Sequence, residues 1–193
     1  MQLALNLADA LIVVDMQKDF MPGGTLPVAG GDAIVPLINR LAVCFTTRVF
    51  SRDWHPANHI SFSDKPEFKD LSWPPHCVQN TPGAEFHPAL DTTLADRVVD
   101  KAFLPNRESY SAFDGSDLDA WLQERKVRRV FVCGVATDYC VKATALDAIA
   151  AGFQTFVILD AVRAVNAPEG SNAAVAAMRA AGVEMIFSGD LVH

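Results

Sequence analysis

The 193-residue chain has no C-x-x-C pair, and its four cysteines, Cys44, Cys77, Cys133 and Cys140, are scattered. That spacing excludes a disulfide framework of the small secreted kind and a structural zinc knuckle, so each thiol has to be judged singly. A basic run is missing too: sixteen Lys and Arg stand against twenty-three Asp and Glu, a formal net charge of -7. Without clustered cations to release counterions, neither nucleic acid nor an anionic membrane is an expected partner. The opening stretch MQLALNLADALIVVD lacks a positively charged leader and carries Asp9 and Asp15 in or beside its apolar run. Neither a signal peptide nor a membrane span fits, and the stretch reads as mature cytoplasmic sequence. Internal repeats and low-complexity tracts are absent as well, the alanine-rich patches lying within helical patterns.

What is present is half hydrophobic by composition, enough for one core-forming domain over 1–193 and too little for two. Six apolar runs bounded by turn residues, ALIVVD, RVFSRDW, RVVDKAF, RRVFVCGV, TFVILDA and VEMIFSGD, read as strands. Between them, Ile34, Leu37, Ile38 and Leu41 form one helical face, and Val141, Ala145, Leu146 and Ile149 another that Gly152 stops. A third helix is expected from Pro168 to Gly182. Strands apolar on both faces, alternating with helices, predict a doubly wound, mostly parallel six-stranded α/β sheet covered on each side.

In such a sheet, chemistry collects at the carboxyl ends of the strands. Asp15 closes the first strand, Asp53 the second, Lys101 lies near the end of the third, and Cys140 follows the fourth across a short turn. A cysteine at a helix start gains thiolate character from the aligned peptide dipoles, and a neighbouring lysine would add to it. Cys140 is therefore read as reactive, whereas Cys44 and Cys133, inside apolar runs, are read as small buried hydrophobes. Lys101 shares one face of an extended strand with Val99 and Phe103, so it needs either a buried anion or a strand end already in solvent. For Asp15 the choice is between a strand-ending turn former and a functional acid.

The segment from about 52 to 88 is rich in Pro and His and too long for an ordinary connection, which marks it as functional or disordered. Asp53 and His55 lie on one side of an extended chain, and His76, stiffened by Pro74 and Pro75, completes one carboxylate and two imidazoles. That set suits a catalytic divalent transition metal with open positions, with zinc foremost and iron or manganese also compatible. His59 is either a fourth ligand or the holder of a metal-bound water. His87 and His193 are read as ordinary surface histidines.

Taken together, VDMQKDFMPGGTL, DWHPANHISF, WPPHCVQNTPGAEF, DKAF and CGVATDYCV resemble the isochorismatase-like cysteine hydrolases over nearly the whole chain, and among them the nicotinamidase branch. Isochorismatase-type members lack the metal-binding loop, so DWHP with WPPHC is the discriminating pair. The resemblance implies Asp15, Lys101 and Cys140 as a catalytic triad, and Asp53, His55 and His76 as metal ligands. It also implies a cis peptide before Ala136, with the amides of Ala136 and Cys140 as an oxyanion hole. Phe20, Leu26, Trp73 and Tyr110 resemble the residues that enclose a pyridine ring, and Ser61 is a second candidate beside His59 for holding a water. The implied activity is hydrolysis of nicotinamide to nicotinic acid and ammonia through a thioester, with pyrazinamide as a related ring amide. Other activities on the same scaffold are a carbamoyl, ureido or vinyl-ether hydrolase, and from another class a non-catalytic α/β binding domain. Whether identical copies assemble is left open.

Overall fold

The structure is a computed structural model and describes residues 2–192. Its strands are β1 (Leu3–Ala4), β2 (Asp9–Val14), β3 (Thr47–Asp53), β4 (Arg97–Lys101), β5 (Arg129–Val135), β6 (Gln154–Arg163), β7 (Glu184–Ile186) and β8 (Leu191–Val192). The helices are α1 (Val35–Cys44), α2 (Leu118–Glu124), α3 (Lys142–Ala150) and α4 (Glu169–Ala180). The six strands read from the sequence form one sheet in the order β4-β3-β2-β5-β6-β7, and every pairing is parallel. Beside it, β1 and β8 make a short parallel pair of their own.

The period-two alternation of β2 divides the core. Leu11 and Val13 point to one face, where Phe50, Phe131, Phe156 and the α1 residues Ile38 and Leu41 pack. Ala10, Ile12 and Val14 point to the other, against Leu118 and Leu122 of α2, Ala145 and Ala148 of α3, and Met178 of α4. Burial on both faces explains why all six β2 residues are buried and why the strand reads as a continuous apolar run. The expected helices are present; α2 is the addition. Its seven residues bury only Leu118 and Leu122, too few repeats for a periodic signal to stand out.

Two places depart from the local expectations. Beyond Lys101 the period-two pattern stops, because Ala102 has a φ of 52° and turns the chain; Phe103 is exposed instead of sharing the face of Lys101. Cys44 is half-buried at the end of α1, where its thiol donates to the Arg40 carbonyl one turn back, whereas Cys133 is fully buried as expected.

One glycine controls the entry to the site. Gly134, near the end of β5, has a φ of 110°, and a Cβ there would lie 2.1 Å from the Val14 carbonyl oxygen. The register of β5 against β6 shifts between Val132 and Gly134, so the strand bends just before the turn that carries Cys140. Gly134→Ala is expected to cost about 3 kcal/mol or more, since neither the backbone contact nor the positive φ admits a side chain. Urea unfolding measures it; an unchanged midpoint would show that β2 and β5 separate freely.

Candidate active site

The sheet order sets β4, β3, β2 and β5 side by side, so Lys101, Asp53 and Asp15 arrive from three adjacent strands at one edge. The fourth contribution comes from a π-helical turn, Thr137–Val141, between β5 and α3. Here the Val135–Ala136 peptide is cis, and the Ala136 carbonyl accepts from the amides of Tyr139 and Val141 at 3.1 and 3.0 Å. Cys140 thus sits within a wide turn, two residues before the regular helix that the sequence pattern placed at this point.

Lys101 is wholly buried, and its ammonium is the centre of the cluster. Nζ lies 2.8 Å from Asp15 Oδ2, donates to Cys140 Sγ at 3.3 Å, and donates to Asp53 Oδ1. Two of its protons are donated, to Asp53 and Cys140, and the Asp15 contact is an ion pair. Burial alone would push this lysine down, but Asp15, Asp53 and Cys140 outweigh it and hold the group well above its ordinary value. Asp15 is oriented on its other side by the Ser51 hydroxyl at 2.7 Å. Burial, strengthened by the charge of Asp53 and opposed by Lys101, lifts the Asp15 pKa to about 6.

The sequence reading of a pre-formed thiolate is corrected here. Burial raises the Cys140 pKa well above the ordinary thiol value, and Lys101 is opposed by the charges of Asp15 and Asp53. Desolvation and two carboxylates outweigh one ammonium and a turn dipole, so the resting sulfur keeps its proton. That proton has a place to go, because a carboxylate oxygen of Asp15 lies within 4.8 Å of the Cys140 sulfur.

Beside the triad, the ligand atoms of Asp53, His55 and His76 lie within 4.8 Å of one another. Each imidazole is anchored through Nδ1, His55 to the His76 carbonyl at 3.2 Å and His76 to the Pro74 carbonyl at 2.7 Å. A carbonyl accepts, so Nδ1 carries the hydrogen and Nε2 offers its lone pair, the tautomer a metal needs. Burial keeps both rings neutral: His55 is pushed down to about 3 and His76 also falls below its ordinary value. His76 Nε2 lies 4.0 Å from Asp53 Oδ2, the oxygen that Lys101 does not take. Two neutral nitrogens and one carboxylate oxygen converging on a point fit a divalent transition metal.

His59 plays a different part. Its Nε2 donates to the Arg107 carbonyl at 2.9 Å, which leaves Nδ1 to accept from the Ser61 hydroxyl at 2.6 Å. Both nitrogens are engaged, and the His59 ring packs 4.4 Å from that of His55; a ligand atom of His59 also lies within 4.8 Å of those of His55 and Glu108. A carboxylate the sequence reading missed lies closer to use: Glu108 Oε1 is 4.0 Å from His55 Nε2. Glu108 stands two residues before Tyr110, so the same-side rule of an extended chain was the signal available. His87 lies apart from the cluster, its Nδ1 accepting from the Ala89 amide, and His193 lies outside the described residues.

A cavity joins thiol and imidazoles. Phe20, Leu26, Trp73 and Tyr110, all expected around a ring, line it together with Ala136, Cys140, Asp53, His55 and His76. Trp73 Nε1 donates to the Tyr110 hydroxyl at 3.0 Å, which donates to Asp70 at 2.7 Å, so the polar tips of both walls are satisfied. Glu108, Tyr139 and Val165 complete the lining. Tyr139, directly before Cys140, packs edge-on against Trp73 at 5.0 Å; nothing in the local sequence pointed to Val165.

Residues 9–189 match the model of the isochorismatase domain. A nicotinamidase of Acinetobacter baylyi is 44% identical over 201 residues, covering 95% of this chain and 94% of the relative. The pyrazinamidase of Pyrococcus horikoshii in complex with zinc superposes with a TM-score of 0.84 at 47% identity, covering 93% of this chain and 99% of that one. A Leishmania infantum structure in complex with nicotinate gives a TM-score of 0.92 at 39% identity, covering 100% and 99%. A match over almost the full length, on a sheet whose carboxyl edge gathers acid, lysine and thiol, places the chain in the isochorismatase family.

Proposed function

We propose that the protein is a metal-dependent cysteine amidohydrolase that converts nicotinamide to nicotinic acid and ammonia. The observation that carries this reading is one buried ammonium touching Asp15, Asp53 and Cys140 at once, beside an aromatic slot that ends in three metal-suited ligands. The relatives named nicotinamidase and pyrazinamidase support the choice of a ring amide as substrate.

The steps follow from the placements. Asp15 takes the thiol proton as Cys140 Sγ attacks the carboxamide carbon, and Lys101 steadies the negative charge passing between them. The amides of Ala136 and Cys140 hold the tetrahedral oxyanion, where one lost donor typically costs about 3 kcal/mol. Asp15 returns its proton to the amine, the C–N bond breaks, ammonia leaves and a thioester remains. Water, deprotonated by Asp15, then attacks the thioester; nicotinate departs and the sulfur recovers its proton. Phe20, Leu26, Trp73 and Tyr110 clamp the flat ring so that the amide faces the sulfur. A divalent transition metal bound by Asp53, His55 and His76 would supply a Lewis-acid contact for the ring nitrogen; zinc, iron(II) and manganese all suit these donors. The whole chain serves as one domain in this scheme, with the 52–88 segment as the loop that brings the ligands. No helix among the described residues is long and apolar enough to cross a membrane.

Ammonia release from nicotinamide is the direct test. Cys140→Ala is expected to lower kcat by about 10⁴-fold or more, and acid-quenched wild type should carry a nicotinoyl group on the Cys140 peptide. Equal rates for the two proteins would end the covalent scheme. Because the base form of Asp15 is required and its pKa lies at about 6, kcat/KM should fall as pH drops through 6 and stay level above it. A profile flat down to pH 4 would remove Asp15 as the base. Asp53→Ala should lose nearly all bound metal by elemental analysis; full metal content would refute the ligand set.

A further inference from the structure

We infer that Asp138 is a positioning residue for the nucleophile, clamping the Cys140 turn to the chain segment that contributes Val165 to the cavity lining. The inference rests on reading Cys140 as the nucleophile. Asp138 is 6% exposed and lies two residues before Cys140 in the π-helical turn. Its side chain forms no part of the cavity lining and touches neither Lys101 nor the metal ligands. Both carboxylate oxygens are used on the loop after β6: Oδ1 accepts from the Val165 amide at 3.0 Å and Oδ2 from the Asn166 amide at 2.8 Å.

Each end of this bridge carries a piece of the site. Val165 lines the cavity, and so does Tyr139, which lies between Asp138 and Cys140. The wall and the nucleophile therefore share one fastening. Behind it, the Asn166 carbonyl accepts from the amides of Gly170 and Ser171 at 2.7 and 3.2 Å, which seats the loop on the first turn of α4. Gly170 itself leaves no room for change: a Cβ there would come 2.8 Å from Asp138 Oδ2 and 2.8 Å from the Asn166 Cβ. A charged carboxylate accepting two backbone amides in a buried place is a strong, geometrically exact pair of bonds. Such a pair fixes where the turn, and with it the sulfur, stands relative to a substrate resting on Val165.

Asp160 provides a matched comparison. It also takes two bonds on a following segment, from the Ser188 amide at 2.8 Å and the Ser188 hydroxyl at 2.5 Å, but on β7's side of the sheet, away from the cavity. Asp138→Ala, Asp138→Asn, Gly170→Ala and Asp160→Ala are to be compared for thermal midpoint, for kcat and KM on nicotinamide, and for iodoacetamide alkylation of the Cys140 peptide read by mass spectrometry. Displacing a nucleophile by an ångström costs about 100-fold, so Asp138→Ala should lose about that much kcat while KM rises less than about threefold. Its Cys140 alkylation rate should change by about fivefold or more, and Asp138→Asn, which keeps one acceptor, should fall between it and wild type. Asp160→Ala should lower the thermal midpoint and leave kcat and Cys140 alkylation within about twofold of wild type. If Asp138→Ala does not fold, Gly170→Ala, which displaces the carboxylate without removing it, decides by the same criteria. Kinetics and alkylation that follow thermal stability alike in the Asp138, Gly170 and Asp160 variants would overturn the assignment. Wild type that releases no ammonia would overturn the amidase reading instead, leaving the alkylation comparison to judge the clamp.

Discussion

The buried ammonium of Lys101 is the constraint on which the rest of the site depends. A lone cation in that position would be untenable, since removal of an ammonium from water costs several kcal/mol. The two carboxylates answering it come from the next two strands of the sheet, Asp53 from β3 and Asp15 from just beyond β2. One cation thus neutralises the base of the chemistry and one arm of the metal set together. Its third contact is the sulfur, so the proposed nucleophile, base and metal ligand form a single electrostatic unit. In that unit the thiol is held protonated and the acid beside it is weakened, which makes proton transfer between the two the natural first event.

Much of this was readable from the chain, and the reasons differ by level. The sheet was legible because β2 and β5 are buried on both faces and therefore continuous in hydrophobicity, a signal that needs no partner to be seen. The convergence of Asp15, Asp53, Lys101 and Cys140 followed from topology, since parallel strands deliver their ends to one edge. What escaped depended on distance through space. The charge state of Cys140 is decided by desolvation and by residues on other strands, not by its place at a helix start. The Lys101–Asp53 contact spans 48 residues in sequence. The occupation of both His59 nitrogens by Ser61 and Arg107 involves a carbonyl, which no side-chain pattern encodes. Likewise the exposure of Phe103 turns on the backbone of Ala102, a residue whose identity gives no warning of a positive φ.

Resemblance and physical reading contributed different things. The cis bond before Ala136 came from the resemblance alone and is present in the structure. The metal-suited donors came from residue chemistry, and the structure adds what neither could supply, the two Nδ1 anchors that fix the imidazole tautomers. Glu108, Tyr139 and Val165 belong to the cavity without having been named in advance.

The segment between β3 and β4 has few regular elements, being pinned by isolated bridges such as His55 to Val78 and Phe62 to Trp73. Yet it delivers two imidazoles and an indole to the same cavity. Sequence drift in that one stretch can therefore retune ring selectivity and metal preference together while the sheet beneath, with its acid, lysine and thiol, stays fixed.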